Sequence, residues 1–136
     1  MRTIYLFLVI VVVMGLQSSC SAQTSQDKGA DTLKQSSEVT VYYFHFSRRC
    51  ATCQAVEDVT KEAVKEFYGD KVTFAGYNLD DENGEAMGKE LKVRGQTLLI
   101  VSGDNRIDLT DEGFMNARTN PEKLKEIIKE KIDPLL

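Results

Sequence analysis

The stretch Val39-Thr40-Val41-Tyr42-Tyr43-Phe44-His45-Phe46-Ser47-Arg48-Arg49-Cys50-Ala51-Thr52-Cys53 decides the fold. Residues 39–46 are apolar and β-branched or aromatic almost without a break, the pattern of a strand buried on both faces, as in a parallel sheet. From Ala51 the period changes. Ala55, Val56, Val59, Ala63, Val64 and Phe67 form a stripe at helical spacing, and Glu57, Asp58, Lys61, Glu62, Lys65 and Glu66 occupy the other side. Gly69 ends that helix. The Cys-x-x-Cys pair therefore sits where a strand gives way to a helix.

That junction is where exchange-active thiols belong. Cys50 falls at the helix start, where unpaired backbone N–H groups and the macrodipole favour an anion. Cys53 falls within the first turn, close enough to close a small disulfide ring. A free thiol titrates near ~8.5, and lowering that to ~7 takes about 2 kcal/mol of preference for the thiolate. A helix terminus supplies about 0.3–2 kcal/mol of it. Arg48 and Arg49 are expected to add positive charge on the same side. Cys50 is thus the candidate attacking thiolate and Cys53 the candidate resolving thiol.

Outward from this centre, the bounds are ordinary for one domain with appendages. The chain has 136 residues, with 42% hydrophobic and 28% charged. A formal net charge of −4 and scattered basic residues leave no footprint for nucleic acid. Residues 1–22 read as a secretory signal peptide. Met1-Arg2 is a short positive start, Ile4 to Met14 is apolar, and small residues follow at Ser18, Ser19, Ser21 and Ala22. Cys20-Ser21-Ala22 fits cleavage before Gln23. Residues 23–37 are polar and lack aromatics, the composition of a flexible linker. The domain spans 38–136. Its mature thiols are then Cys50 and Cys53, in a compartment where disulfides persist.

Downstream, Val72 to Asn78 reads as a second strand and Asp80 to Lys92 as a polar helix with Ala86, Met87 and Leu91 inward. Thr97 to Val101 is a short apolar strand, Gly103-Asp104-Asn105 a turn, and Arg106 to Leu109 a hairpin partner. Asn120 caps a last helix with Pro121 at its first position, and Leu124, Ile127, Ile128 and Ile132 form its inner face. The order β-α-β-α-β-β-α implies an α/β domain with a mixed sheet of about four strands and about three helices.

That order, with Cys-x-x-Cys after the first strand, resembles the thioredoxin family from Val39 to Ile132. Asn78-Leu79-Asp80, then Val93-Arg94-Gly95 and Thr97-Leu98-Leu99, resemble the thioredoxin stretch from the second core strand to the substrate loop. More narrowly, Tyr42-Tyr43-Phe44-His45 ahead of Arg48-Arg49-Cys50-Ala51-Thr52-Cys53 is similar to a small bacterial group known as nitrophenyl-compound nitroreductase subunits. Nothing here binds flavin or nicotinamide, since no Gly-rich dinucleotide fingerprint occurs, and no cofactor is expected. Ser18-Ser19-Cys20 resembles a bacterial lipobox, with Gln17 where that motif has leucine. It makes Cys20 a lipidation candidate and the N-terminus a candidate membrane tether. The resemblances imply a periplasmic or membrane-anchored thiol-disulfide oxidoreductase that trades electrons with a partner protein's dithiol or disulfide.

The departures locate the supporting residues. Thioredoxins carry a cis-proline just before the residue matching Thr97, where this chain has Gln96. Where thioredoxins bury an acid, six residues before the first cysteine, this chain has Phe44. Arg48, Arg49, Ala51 and Thr52 replace the aromatic, glycine and proline around the dithiol. Arg49, His45, Gln96 and Thr97 are therefore the supporting candidates. His45, the single histidine, leads into the cysteines and is either a proton carrier for Cys53 or a strand residue satisfied by a hydrogen bond. Glu57, one turn after Cys53, is either the missing acid or part of a solvated face. Two alternatives stand beside exchange chemistry. One is a redox-inert binding subunit braced by a structural disulfide. The other is a metal-binding dithiol, disfavoured because a closed zinc site wants four ligands and Cys50, Cys53 and His45 are the soft candidates. Asp80-Asp81-Glu82-Asn83-Gly84 fails as a calcium loop, because aligning Gly84 with the loop glycine puts Leu79 at the first ligand position.

Overall fold

The computed structural model describes residues 38–136. The signal-peptide reading of 1–22, with Cys20 in it, and the linker reading of 23–37 lie outside the described residues.

Strand β1 (Val39–His45) is central. It pairs in parallel with β2 (Val72–Asn78) on one side and antiparallel with β3 (Thr97–Ser102) on the other, and β3 pairs antiparallel with β4 (Asn105–Asp108). The order β2-β1-β3-β4 gives the mixed four-stranded sheet expected. As its sequence implies, β1 is buried on both faces. Val39, Val41 and Tyr43 point one way and Phe44 the other, none more than 1% exposed, while Thr40 and Tyr42 on Phe44's face are half-buried.

Helix α1 (Ala51–Tyr68) starts and stops where its caps dictate. Gly69 closes it at φ 56°, a conformation glycine adopts at no steric cost. Its stripe of Val56, Ala63 and Val64 packs with Val41, Tyr43, Leu98 and Ile100 of the sheet and with Leu124, Ile128 and Ile132 of the last helix, α4 (Pro121–Ile132). Each fully buried Val, Leu or Ile side chain among these contributes about 1.5–3 kcal/mol by leaving water. Polar ties lock the same two helices. Lys125 reaches Glu62 at 3.1 Å and Glu66 at 3.2 Å, and the Tyr68 hydroxyl donates to Asp133 at 2.7 Å.

Two features differ from the sequence expectation. Helix α2 (Glu82–Glu90) turns inward on Gly84 and Gly88, with Met87 half-buried, while Ala86 is exposed. The reason is a close approach to the strand end: a Cβ on Gly84 would stand 1.8 Å from the carbonyl oxygen of Asn78. The second is a further helix, α3 (Thr110–Asn116), where only a connection was expected, so four helices flank the sheet. Asp108 starts it by accepting the Thr110 N–H at 2.9 Å, and its buried Gly113 fits against Val56 and Leu98. Seven residues with a central glycine carry no helical stripe, so no periodicity announces it.

Candidate active site

The carboxyl end of β1, the start of α1 and the start of β3 converge on the two cysteines. The loop between β1 and α1 is pinned from β2's side. Asp80 accepts the Ser47 N–H at 2.7 Å, the Asn78 side chain donates to the Ser47 hydroxyl at 3.0 Å, and the Leu79 N–H reaches the His45 carbonyl at 2.7 Å. The Ser47 amide holds the Asp80 carboxyl below the usual range.

Cys50 is the N-cap of α1. Its φ and ψ of −83° and 165° are extended, and its sulfur accepts the Cys53 N–H at 3.3 Å. It is exposed, whereas Cys53 is 2% exposed. This asymmetry gives one thiol to solvent and keeps the other behind it. Hydrogen bonding pulls the Cys50 thiol below its ordinary value, first from the Cys53 side chain, then from the Cys53 backbone N–H. The positive charge expected from Arg48 and Arg49 is not among the leading causes. Arg49 is committed elsewhere. It is ion-paired with Glu57 and donates to the Cys53 carbonyl at 3.3 Å.

The Arg49–Glu57 pair forms a small charged layer between α1 and the sheet. Both side chains are 22% exposed, so Glu57 is part of an internal pair rather than a solvated face. The Arg49 guanidinium lies 5.9 Å from the Tyr43 ring centroid, within cation–π range. Gly76, paired with Tyr43 across β1 and β2, makes the room: a Cβ there would sit 3.3 Å from a Glu57 oxygen. Burial pushes the Tyr43 phenol up to about 12 against the opposing pull of the Arg49 guanidinium; its hydroxyl, like the Arg49 Nε, is buried with no partner at hydrogen-bond geometry among the described residues.

The other candidates divide. Gln96 is brought to the site: its Oε1 accepts from the Cys53 thiol at 3.3 Å. Thr97 uses its hydroxyl on the Gly95 carbonyl at 3.0 Å, shaping the loop that carries Gln96. His45 has Nδ1 3.1 Å from the Phe46 carbonyl, the hydrogen-bonded strand-end placement rather than a contact with the dithiol. Tyr43 was legible only as a core aromatic. The faint signal for more was Gly76, a strand glycine, which marks a close approach.

No protein-family model matches the chain, and no curated protein matches it in sequence. Solved structures do match. Thioredoxin O2 from Arabidopsis thaliana, in its oxidized state, superposes with a TM-score of 0.51 at 19% identity, over 69% of this chain and 75% of that one. The chain has a thioredoxin-like fold. The germline-specific thioredoxin Deadhead from Drosophila melanogaster gives 0.49 at 19% identity over 69% of this chain and 81% of that one, and thioredoxin from Trypanosoma brucei brucei gives 0.46 at 20% over 71% and 77%. None of these carries the nitroreductase-subunit description. On the thioredoxin-like frame, the cysteine pair occupies the strand-to-helix junction, and Gln96 occupies the loop facing it with no cis peptide bond among the described residues.

Proposed function

We propose that this protein is a thiol-disulfide oxidoreductase in which Cys50 is the attacking thiolate and Cys53 the resolving thiol. The observation that carries it is the asymmetric dithiol: an exposed Cys50 capping α1 and hydrogen-bonded by Cys53, with Cys53 buried one turn in. The Cys50 thiolate attacks a sulfur of a partner disulfide, forms a mixed disulfide and expels the partner's other sulfur as a thiolate, which takes up a proton. Cys53 then gives up its proton and attacks Cys50. The Cys50–Cys53 bond forms, the intermolecular bond breaks, and the partner leaves reduced by two electrons while the pair is oxidised by two. The reverse sequence runs if the pair's potential lies above the partner's.

The positive start and apolar run of residues 1–14 support a setting outside the cytoplasm, with the N-terminus either cleaved after Ala22 or lipidated at Cys20 as a membrane tether. Intact mass of the mature protein distinguishes the two. Among the described residues no helix is long and apolar enough to cross a membrane.

Exchange with insulin or glutathione disulfide tests the chemistry. Cys50→Ser loses it, and Cys53→Ser accumulates the mixed disulfide. Turnover that survives Cys50→Ser overturns the assignment, and a pair that resists mild reductants and offers no reactive thiol replaces it with a structural brace.

A further inference from the structure

Cys53 is held at two points by residues outside its helix turn. Arg49 takes its carbonyl oxygen, and Gln96, at the entrance to β3, takes its thiol, with Oε1 3.3 Å from the sulfur. The hydrogen bond from Thr97 to Gly95 spans Gln96 and holds the short loop that carries it, and Gln96 itself is half-buried. The Cys53 S–H has a single proton and two acceptors, the Gln96 oxygen and the Cys50 sulfur. A carboxamide also has a property that a proline or an aliphatic residue at this place lacks. It presents an acceptor and two donors on one rotating group, so it satisfies a thiol through oxygen and a thiolate through nitrogen.

We propose that Gln96 is the positioning residue of the resolving step, its carboxamide accepting from the Cys53 thiol in the resting dithiol and turning its N–H groups to the Cys53 thiolate as that sulfur attacks the mixed disulfide. The proposal rests on the oxidoreductase reading above. It divides the two halves of the reaction. In the resting dithiol the Gln96 oxygen competes with Cys50 for the Cys53 proton, so it slightly restrains the first attack. In the mixed disulfide Cys50 is bonded to the partner, Cys53 must ionise in a buried place, and a donor aimed at its sulfur stabilises that charge. Cys50, Arg49 and Tyr43 act on Cys53 directly and Glu57 through its pair with Arg49, and changes at Gln96 leave all four in place.

Ellman's reagent separates the two halves on the intact protein. Attack by Cys50 releases one thionitrobenzoate, and attack by Cys53 on the resulting mixed disulfide releases a second. In Gln96→Leu the first release is as fast as in the parent or faster, and the second slows about tenfold, the scale of one hydrogen bond to a charged group. In Gln96→Met a flexible side chain of similar length fills the same space but has no N–H to offer, and the second release slows likewise. Gln96→Met carries the comparison alone if the leucine variant does not fold. A second release unchanged in the variants, or both releases slowed alike, overturns the role given to Gln96. A parent protein that never gives a second release overturns the oxidoreductase reading itself, which is a different result.

Discussion

Arg49 and Glu57 form an ion pair that bridges the loop before Cys50 and the second turn of α1. Exposed pairs are worth about 0–1 kcal/mol and buried ones cost about 3–5 kcal/mol when one partner is lost. At 22% exposure on each side, this pair falls between those limits. Glu57→Ala is expected to destabilise the fold by about 2 kcal/mol. Arg49→Ala is expected to cost more, because it also removes the bond to the Cys53 carbonyl and the packing over Tyr43. The double variant should cost less than the two single effects added, since each single change strands the other charge. Urea denaturation of all four proteins checks this, and strict additivity would show that the pair is energetically idle.

The acidity of Cys50 depends on Cys53. The leading cause of its lowered titration is the hydrogen bond from the Cys53 side chain, followed by the Cys53 backbone N–H. Cys53→Ala removes the first and keeps the second. The midpoint for alkylation of Cys50 is expected below the ordinary thiol value of ~8.5 in the parent protein, and to move upward in the variant without reaching it. Linkage gives the sign for stability. Because the folded state holds the thiolate more readily than the unfolded chain, the contribution is full above the unfolded value and is lost as pH falls through the folded one. Iodoacetamide rates across pH read the midpoints, and an unmoved midpoint assigns the effect to the backbone alone.

How far the sequence reaches is clear from particular residues. The strand β1, the helix α1 and the cap at Asn120-Pro121 were legible because each rests on local rules: an unbroken apolar run, a stripe at helical spacing, and residues that terminate helices. The position of Cys50 at the head of α1 follows from the same rules. What lay hidden is non-local. Gln96, which meets Cys53 across 43 positions, was within reach only through the thioredoxin resemblance, and Glu57 stands between a missing acid and a solvated charge until Gly76 and Arg49 are placed beside it. The inner face of α2 departs from its hydrophobic pattern because backbone contact there demands glycine.

That backbone contact makes a graded pair of substitutions. A methyl on Gly84 would meet main-chain carbonyl oxygen at 1.8 Å, which has to be relieved by moving α2 off β2. Gly88 faces the Leu79 Cδ2 at 2.9 Å, the far end of a side chain that can change rotamer. Gly84→Ala is expected to destabilise by about 3 kcal/mol despite alanine's better helix propensity. Gly88→Ala should fall within about 1 kcal/mol of the parent, because the propensity gain offsets a small rearrangement. Thermal or urea unfolding ranks the two, and equal effects would contradict the close approach at Asn78.

Tyr43 separates a structural role from a chemical one. Its hydroxyl is buried with no partner at hydrogen-bond geometry among the described residues, and an unsatisfied buried hydroxyl is costly. Tyr43→Phe deletes that oxygen while keeping the ring beside Arg49; losing the costly hydroxyl and losing its attraction to the guanidinium oppose one another, so stability should stay within about 1 kcal/mol of the parent. Burial holds the phenol near 12, so at neutral pH it is a proton donor in form and never a base. If the hydroxyl serves only packing, both thionitrobenzoate releases in Tyr43→Phe match those of the parent. A slower second release with unchanged unfolding would instead make it a donor to the Cys53 sulfur alongside Gln96. The phenol's titration lies far above that of Cys50, so the alkylation midpoint of Cys50 should not move in this variant. A shift there would show that the Tyr43 hydroxyl bears on the charged layer of Arg49 and Glu57, and through it on the head of α1.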